Sequence, residues 1–422
     1  MAENAGIDWA RWLRPGDHIV CSHLTSEPVA LLQSLAACAA LPSPLTLNLG
    51  TPQTMAALDL PAGCQLITLG GMGSGGALAA QRPVQMSTLP YSRAGTVYQD
   101  GTARCDVVLV SLSRDEDGRL YLGAAHGPAV AAARIARHVI AQVSPQAPSV
   151  LGGQWPDDIP LTAILETAQT PPVTPFDGLP GAVEQAIARH VVDLVPEGAC
   201  LQVGIGALPS AVLSQLTAHR HLGIHSGMIS DSLYALVTCG AIDHSRKGLD
   251  AGVAVTGSVM GTLDLYRACH RNPRVQLREP AYTHAAAVIA AQPDFFSLNS
   301  ALEIDLLGNV NAETVPGVDG RWRYVGGIGG LADFMRGAVH APRGQSVLAL
   351  ASRTPRGRAR IVARLSGPCT VAAMDTDRVV TEHGVARLRA ANIDARVRQM
   401  LAIADPQDRP ALTEDARALG LI

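Results

Sequence analysis

The sequence predicts an α/β protein built from two similar open domains, each on a mostly parallel sheet. Two observations predict the fold class and a third sets the boundary. Short β-rich runs alternate with alanine-rich helical patterns: Val107-Val-Leu-Val110 precedes the stretch Ala129 to His138, and Val347-Leu-Ala-Leu350 is another such run. Alternation of this kind favours parallel strands joined by helices. The chain also carries a faint internal repeat. Pro15 and Pro28 are 13 residues apart, as are Pro196 and Pro209, and Leu32 and Leu35 fall on Leu213 and Leu216 at the same offset of 181. Two copies of one α/β unit imply two similar domains. Between them lies Pro171-Pro-Val-Thr-Pro-Phe-Asp-Gly-Leu-Pro180, whose four prolines resist both helix and sheet. The expected boundary is near residue 175, giving domains 1–175 and 176–422.

Each element of the repeat has a local cause. In the first copy the amphipathic stretch Ile7 to Leu13 leads through the turn Pro15-Gly16-Asp17 into the apolar run Ile19-Val20-Cys21. A loop follows, and Pro28 opens a helix through Leu35. Proline suits a first helical turn, where its missing N–H has no partner to lose. In the second copy a helical stretch, Ala186 to Val195, leads through Pro196-Glu197-Gly198 into Leu201-Gln-Val203. The loop Gly204-Ile-Gly206 then precedes the helix carrying Pro209 and Leu216. Downstream, Glu303 and Asp305 share one face of an expected strand. Thr381-Glu-His383, before an apolar segment, reads as a helix N-terminus with an acidic first turn. Ligands of open parallel sheets bind outside the carboxyl ends of the strands, so the loops after Val20 and Val203 are the ones of interest.

Composition excludes several functions. With 422 residues, 47% hydrophobic and 16% charged, the chain is an ordinary globular one. A net charge of −3 offers no basic surface, so nucleic acid is not an expected partner. No apolar run approaches the ~18 residues of a membrane span, and the first residues carry no charged-then-apolar signal. The eight cysteines are scattered, with no C-x-x-C pair, as expected of reduced core thiols in the cytoplasm. Neither a ligand-spaced His/Cys set nor a complete G-x-G-x-x-G fingerprint is present, so no metal and no redox nucleotide is expected. Lys247 is the single lysine among 33 Lys and Arg residues, which leaves little room for Schiff-base cofactor chemistry.

Several segments carry chemistry. Gly204-Ile-Gly206-Ala-Leu-Pro209 lets the backbone approach a ligand and can aim N–H groups at an anion; a plain strand-to-helix turn is the alternative. Tyr324-Val-Gly-Gly-Ile-Gly-Gly-Leu-Ala-Asp-Phe-Met-Arg-Gly337 is too glycine-rich for an element interior and reads as a loop of close backbone approach. Its Arg336 suits a phosphate or carboxylate, or else a surface ion pair. Leu222-Gly-Ile-His-Ser-Gly-Met-Ile-Ser-Asp231, Asn299-Ser-Ala-Leu-Glu-Ile-Asp-Leu-Leu-Gly-Asn-Val-Asn-Ala-Glu313 and Val380-Thr-Glu-His-Gly-Val385 complete the set.

These segments, in order, resemble the acetyl-CoA hydrolase/transferase family, and most closely its 4-hydroxybutyrate CoA-transferase branch. The matching family patterns are GIGxxPxAVL, LGIHTEM(I/F)SDG, NSALEVDLTGQVNAE, GGQxDFxRGA and VVTEHGVA. The resemblance covers about residues 15 to 405. It implies two domains of the CoA-transferase (NagB-like) type, an active site in the cleft between them, a homo-oligomer (dimer or tetramer), and acyl-CoA and a small carboxylic acid as substrates. No permanently bound cofactor is implied. It also implies CoA contacts from Gly326, Gly327, Gly329, Gly330, Asp333, Phe334 and Arg336. Substrate or oxyanion contacts are expected from Gly204, Gly206, Ser226, Gly227, Asn299 and Ser300. Two departures stand out. The family's Gln is Leu331 here, and the family's catalytic glutamate is Gly227, which has no side chain.

In the family reaction a glutamate attacks the thioester and becomes a glutamyl–CoA thioester, so a carboxylate is required. Of eleven glutamates, Glu3 and Glu414 are near the ends, and Glu116, Glu166, Glu184, Glu197 and Glu279 read as turns, helix faces or connections. Glu27, Glu303, Glu313 and Glu382 remain. Glu27 is the leading candidate, because it lies in the loop after the first leading strand, beside Pro28 at a helix start. Glu303 is a second candidate or a loop brace. His225, beside the missing glutamate, could activate water, and His23, Ser26 and Ser226 could line the same site. Three functions stay open: CoA transfer to a carboxylic acid, acyl-CoA hydrolysis, and acyl-CoA binding without turnover.

Overall fold

The computed structural model describes residues 6–174, 179–317 and 319–422. The expected boundary near 175 lies outside the described residues. The first half carries eight strands: β1 (His18–Cys21), β2 (Leu45–Gly50), β3 (Cys64–Leu69), β4 (Val84–Ser87), β5 (Val107–Arg114), β6 (Leu120–Tyr121), β7 (His138–Val143) and β8 (Ala163–Glu166). They form one sheet in the order β4-β3-β2-β1-β5-β7-β8, with β6 on β5. Every pairing in that order is parallel, and only β6 is antiparallel. The second half adds β9 (Cys200–Val203), β10 (Gly223–Ser226), β11 (Ala254–Thr256), β12 (Val275–Leu277), β13 (Phe295–Asn299), β14 (Glu303–Asp305), β15 (Val310–Asn311), β16 (Thr314–Pro316), β17 (Trp322–Tyr324), β18 (Gln345–Ala349), β19 (Ile361–Val362), β20 (Arg378–Thr381) and β21 (Gly384–Arg387). Its main sheet runs β12-β11-β10-β9-β13-β18-β20-β21, parallel except for the last pair.

The two sheets share one topology. The leading strand of each repeat, β1 or β9, sits between the next strand and a later one, and the order outward is the same on both sides. The repeat is offset by 182 residues at these strands, His18 to Cys200, but by 178 at the following helices, Val29–Ala36 and Ala207–Ser214. A 3₁₀ turn, Leu24–Ser26, inserted after β1 accounts for the slip. Pro28 therefore caps its helix, while Pro209 is the third residue of its own. β5 shows why the apolar runs read as strands: its first seven residues are all buried, as in a sheet covered on both faces.

Three local expectations change. Only Trp9–Trp12 of the first amphipathic stretch is helical, and the helix from Ala129 ends at Ala133, leaving His138 to open β7. Thr381-Glu-His383 is not a helix start but the turn of the β20–β21 hairpin. Val379 and Val380 are fully buried in the sheet, Glu382 accepts from the Ser352 backbone N–H (2.9 Å) and hydroxyl (2.6 Å), and Gly384 adopts φ 134°, which closes the turn. Core packing outweighs the capping signal there.

Between β13 and β18 the chain inserts the small strands β14 and β15, which join β19, and the hairpin β16–β17. The helix Leu331–His340 then packs against β13 and β18. The halves are joined along their backbones. Val259 N–H donates to Ala124 (2.7 Å), His126 N–H to Gly257 (3.0 Å) and Leu277 N–H to Leu151 (2.8 Å). One hydrophobic core spans them, including Val20 and Val108 from the first sheet and Leu201 and Phe296 from the second. Among the described residues no helix is long and apolar enough to cross a membrane. Lys247 is buried and donates to the Val253 carbonyl (2.7 Å), so the single lysine is committed to the fold.

Candidate functional site

Gly227 follows the carboxyl end of β10, where a parallel sheet presents its loops. The residue is half-buried, and its carbonyl accepts from the Ser258 hydroxyl (3.2 Å). A Cβ at this position would lie 3.0 Å from His284 Nε2 and 3.3 Å from Phe334 Cε2. A Cβ at Gly330 would lie 2.6 Å from the same Nε2. His284 thus lies against two glycines, one from the signature segment and one from the glycine-rich segment. No larger residue fits at either glycine without moving the ring.

His284 is buried and packed on two rings. Its centroid is 4.7 Å from Tyr91, in an edge contact, and 4.6 Å from Phe334, while Phe334 stacks on Phe295 at 6.3 Å. Burial lowers its pKa to about 3, so the ring is neutral. Its Nδ1 lies 2.7 Å from Thr283 Oγ1, and that hydroxyl donates to the Glu279 carbonyl (3.3 Å). One proton assignment satisfies both contacts: Nδ1–H donates to Oγ1, leaving Nε2 as an unprotonated acceptor.

Tyr91 comes from the other half, from the 3₁₀ turn Tyr91–Arg93. Its N–H donates to the Gly329 carbonyl (3.1 Å), fixing the turn to the glycine-rich segment. Its hydroxyl is 2.8 Å from His23 Nε2. His23 Nδ1 accepts from Thr51 N–H (3.1 Å), so the ring's proton is on Nε2 and points at the Tyr91 oxygen. The phenol proton is therefore left to donate elsewhere. Burial lowers the His23 pKa to about 4 and raises that of Tyr91, keeping both uncharged.

The glycine-rich segment meets a second one that local sequence reading passed over, Gly70-Gly-Met-Gly-Ser-Gly-Gly76. Gly71 N–H donates to the Gly326 carbonyl (2.7 Å). A Cβ at Gly70 would meet Gly326 O and Gly327 Cα at 2.7 Å, so only glycine permits this backbone contact. Met72 packs over Gly327 and Gly329. Asp333 accepts from the Ser92 N–H (3.0 Å) and hydroxyl (2.7 Å), latching the helix Leu331–His340 to the first half. Burial raises the Asp333 pKa against these two bonds. Arg336, on the exposed side of that helix, pairs with Asp375 (2.8 Å).

The other expected residues are spread through the second half. Gly204 and Asn299 lie together at the ends of β9 and β13, where Gly204 N–H donates to the Leu298 carbonyl (3.0 Å). The Asn299 amide bonds Gln202 Oε1 (2.9 Å) and Ser297 Oγ (2.8 Å). Gly206 precedes the helix at φ 118°, and Ser300 is exposed. Ser226 is fully buried, and its hydroxyl accepts from Met228 N–H (3.4 Å). His225 is also fully buried, its Nε2 donating to the Thr283 carbonyl (2.9 Å), with burial lowering its pKa to about 4. It faces Tyr282 and Phe295, behind His284.

Glu27 is 3% exposed. Its Oε2 accepts from the N–H groups of Gln53 (3.0 Å) and Thr54 (2.8 Å), while Oε1 is buried with no hydrogen-bond partner among the described residues. Burial raises its pKa, against those two bonds. Ser26, next to it, is bonded to Leu122 and Ala125. Glu303 is 3% exposed and ties Ser366, Asn311 and Arg358 together. Glu313 accepts from Thr370 (2.8 Å), and its carbonyl takes the N–H of Gly326 (3.0 Å). None of these three is among the residues around the Gly227 Cβ point.

A cavity of about 280 Å³ opens at the carboxyl end of the first sheet. Val20, Ile67, Leu89 and Val97 give it apolar walls, His23, Asn48 and Tyr98 supply polar groups, and among the described residues no Asp, Glu, Lys or Arg lines it. A wider, open hollow of about 670 Å³ lies beside the helix Val29–Ala36 and is lined by Gln33, Met55 and Asp59, away from Gly227.

Residues 261–416 match the family described as acetyl-CoA hydrolase/transferase C-terminal domain. The 4-hydroxybutyrate coenzyme A transferase of Clostridium kluyveri is 33% identical over 76% of this chain and 74% of its own length. The chain belongs to the acetyl-CoA hydrolase/transferase family. The succinyl-CoA:cyclohexane-1-carboxylate CoA transferase of Geobacter metallireducens is 34% identical over 73% of this chain and 70% of its own. Among solved structures, RipA from Yersinia pestis superimposes over 97% of this chain and 96% of its own, with a TM-score of 0.88 and 28% identity. Neither His284 nor Tyr91 lies in any of the recognised segments; His284 is held by second-half residues distant in sequence, and Tyr91 joins it from the first half.

Proposed function

We propose that the protein moves CoA from a short-chain acyl-CoA to a carboxylic acid, at the junction where Gly227, Gly330, His284 and Tyr91 meet. The observation that carries this reading is convergence. The signature loop after β10, the glycine-rich segment and the first half's Tyr91 turn come to one point, in a family whose matched relatives are named CoA transferases. The acyl portion is uncharged on this reading, because the 280 Å³ cavity beside His23 has apolar walls and no charged lining. In this scheme Gly326, Gly327, Gly329 and Gly330 lie along the thioester, and Gly204, Gly206, Asn299 and Ser300 edge the substrate. Asp333 and Phe334 hold the helix behind it. Arg336 reaches a CoA phosphate only by sharing or leaving Asp375.

The carboxylate for a covalent route is Glu27. One of its oxygens is anchored by two N–H groups and the other is unpartnered, a geometry that suits a nucleophile once the loop carrying Gln53 and Thr54 opens. A second reading, hydrolysis, is favoured by Gly227 itself, where a neutral imidazole nitrogen occupies the space a side chain would enter. Borohydride trapping with butyryl-CoA tests the two. A reduced residue at Glu27, found by peptide mass spectrometry, supports covalent transfer. No trapped carboxylate, with acid-dependent CoA exchange absent and thiol release present, supports hydrolysis.

A further inference from the structure

We infer that His284 and Tyr91 form a base–donor pair that lets water cleave the acyl-CoA, in place of a glutamate at position 227; this takes the hydrolytic reading of the site instead of covalent transfer through Glu27, and rests on acyl-CoA binding at that junction. The pair is built from both halves of the chain, and two hydrogen-bond chains give its members opposite roles. Thr51 N–H donates to His23 Nδ1 and His23 Nε2–H donates to the Tyr91 oxygen, so the phenol can only give its own proton outward. The Thr283 hydroxyl donates to the Glu279 carbonyl and receives His284 Nδ1–H, so Nε2 can only accept. Among the described residues neither the Tyr91 proton nor His284 Nε2 has a hydrogen-bond partner within the protein. The two rings touch, with centroids 4.7 Å apart. Nε2 lies 3.0 Å from the point where a side chain at position 227 would begin.

The chemistry follows from those roles. A water held at His284 Nε2 attacks the thioester carbonyl carbon and gives one proton to Nε2 as the new C–O bond forms. The carbonyl oxygen becomes an oxyanion and accepts the Tyr91 O–H hydrogen bond. When the tetrahedral species collapses, the C–S bond breaks and its electron pair stays on sulfur. The proton on Nε2 passes to the CoA thiolate, which restores the imidazole. The products are the free acid and CoA, and water is the sole co-reactant. His225 stands apart from the pair: its Nε2 donates to the Thr283 carbonyl, and its Nδ1, without a partner among the described residues, is buried.

Free-thiol release from butyryl-CoA, with no acid acceptor, tests the pair, with butyryl-CoA binding measured by calorimetry on the same preparations. Wild type should release CoA, and oxygen from H₂¹⁸O should appear in butyrate. His284→Gln keeps the size and a polar end but removes the base; kcat should fall about 100-fold or more with Kd within about threefold. Tyr91→Phe keeps the ring packing, so it guards against a folding artefact, and should lower kcat about 10- to 100-fold. Wild-type rates in both variants would overturn the proposal, as would ¹⁸O recovered in a Glu27 peptide. Butyryl-CoA binding without thiol release in wild type would also overturn it while leaving the binding site intact. No binding of butyryl-CoA to wild type would remove the acyl-CoA reading itself.

Discussion

Glu27 carries two unlike oxygens, and its chemistry turns on that asymmetry. Oε2 holds the backbone of Gln53 and Thr54, and Oε1 is buried without a partner. Replacing the side chain by alanine strands two N–H groups, each at a cost of about 1–3 kcal/mol. Glu27→Gln presents an amide oxygen to the same N–H groups and removes the buried charge. We expect Glu27→Ala to lower the unfolding free energy read from urea curves by about 2 kcal/mol or more, and Glu27→Gln to leave it at or above wild type. Activity separates brace from nucleophile. If Glu27 only braces the loop, the glutamine variant keeps turnover; if it forms the glutamyl thioester, that variant loses turnover and borohydride trapping together. Sequence alone gave Glu27 its candidacy from position, in the loop after a leading strand. It gave no sign of the N–H groups of Gln53 and Thr54, which come from a separate loop 26 residues on.

At the scale of elements, what was legible was local. The buried run of β5, the repeated strand–loop–helix units and the glycine loop after β9 each follow from residues close in sequence. At the β20–β21 hairpin Thr-Glu-His satisfies a helix start as well as a turn, and only the burial of Val379 and Val380 decides between them. The junction was legible in halves: the glycine-rich segment ending at Gly330 stood out, but its counterpart at Gly70 to Gly76 meets it only in three dimensions. That meeting sets a prediction. A Cβ at Gly71 would lie 2.7 Å from Tyr324 O, 2.8 Å from its carbonyl carbon and 2.9 Å from Val325 N, all backbone atoms that have no rotamer to escape by. Gly71→Ala should therefore push the two glycine segments apart and weaken the Gly71–Gly326 hydrogen bond, costing about 1–3 kcal/mol. Thermal unfolding reads the stability loss. Acyl-CoA affinity should fall with it, because Gly329 and Tyr91 move with the same loop; a variant of unchanged Tm and affinity would mean the contact is looser than drawn.

Across the whole molecule, a shared core and backbone bonds join the two halves, so a strain in either half bears on both. Buried imidazoles supply that strain in acid. His23, His225 and His244 have pKa values lowered to about 4 and His284 to about 3, all by burial, against an ordinary value of 6.5. The unfolded chain protonates these groups near pH 6.5 while the folded chain does not, so unfolding takes up protons and stability falls as pH falls. Their contribution is fully present above about pH 6.5 and is lost as pH drops through 4 toward 3. Each imidazole that titrates only in the unfolded state contributes a slope of about 1.4 kcal/mol per pH unit. Glu27, with its raised pKa, works the other way, since its ionised form is the disfavoured one. These four imidazoles, with His126 and His138 also lowered by burial, outweigh the two carboxyls that burial raises, Glu27 and Asp333, and leave a net loss of several kcal/mol between about pH 6 and pH 5, by the same linkage. Urea unfolding at pH 7.5, 6 and 5 should show one transition whose midpoint moves steadily lower. His244→Gln should flatten that slope by roughly one imidazole's share, since the His244 ring accepts the Ile224 N–H (3.3 Å) and lies away from the junction. A midpoint that holds constant from pH 7.5 to 5 would mean the rings become charged within the fold, and the neutral acceptor assigned to His284 would fall with them.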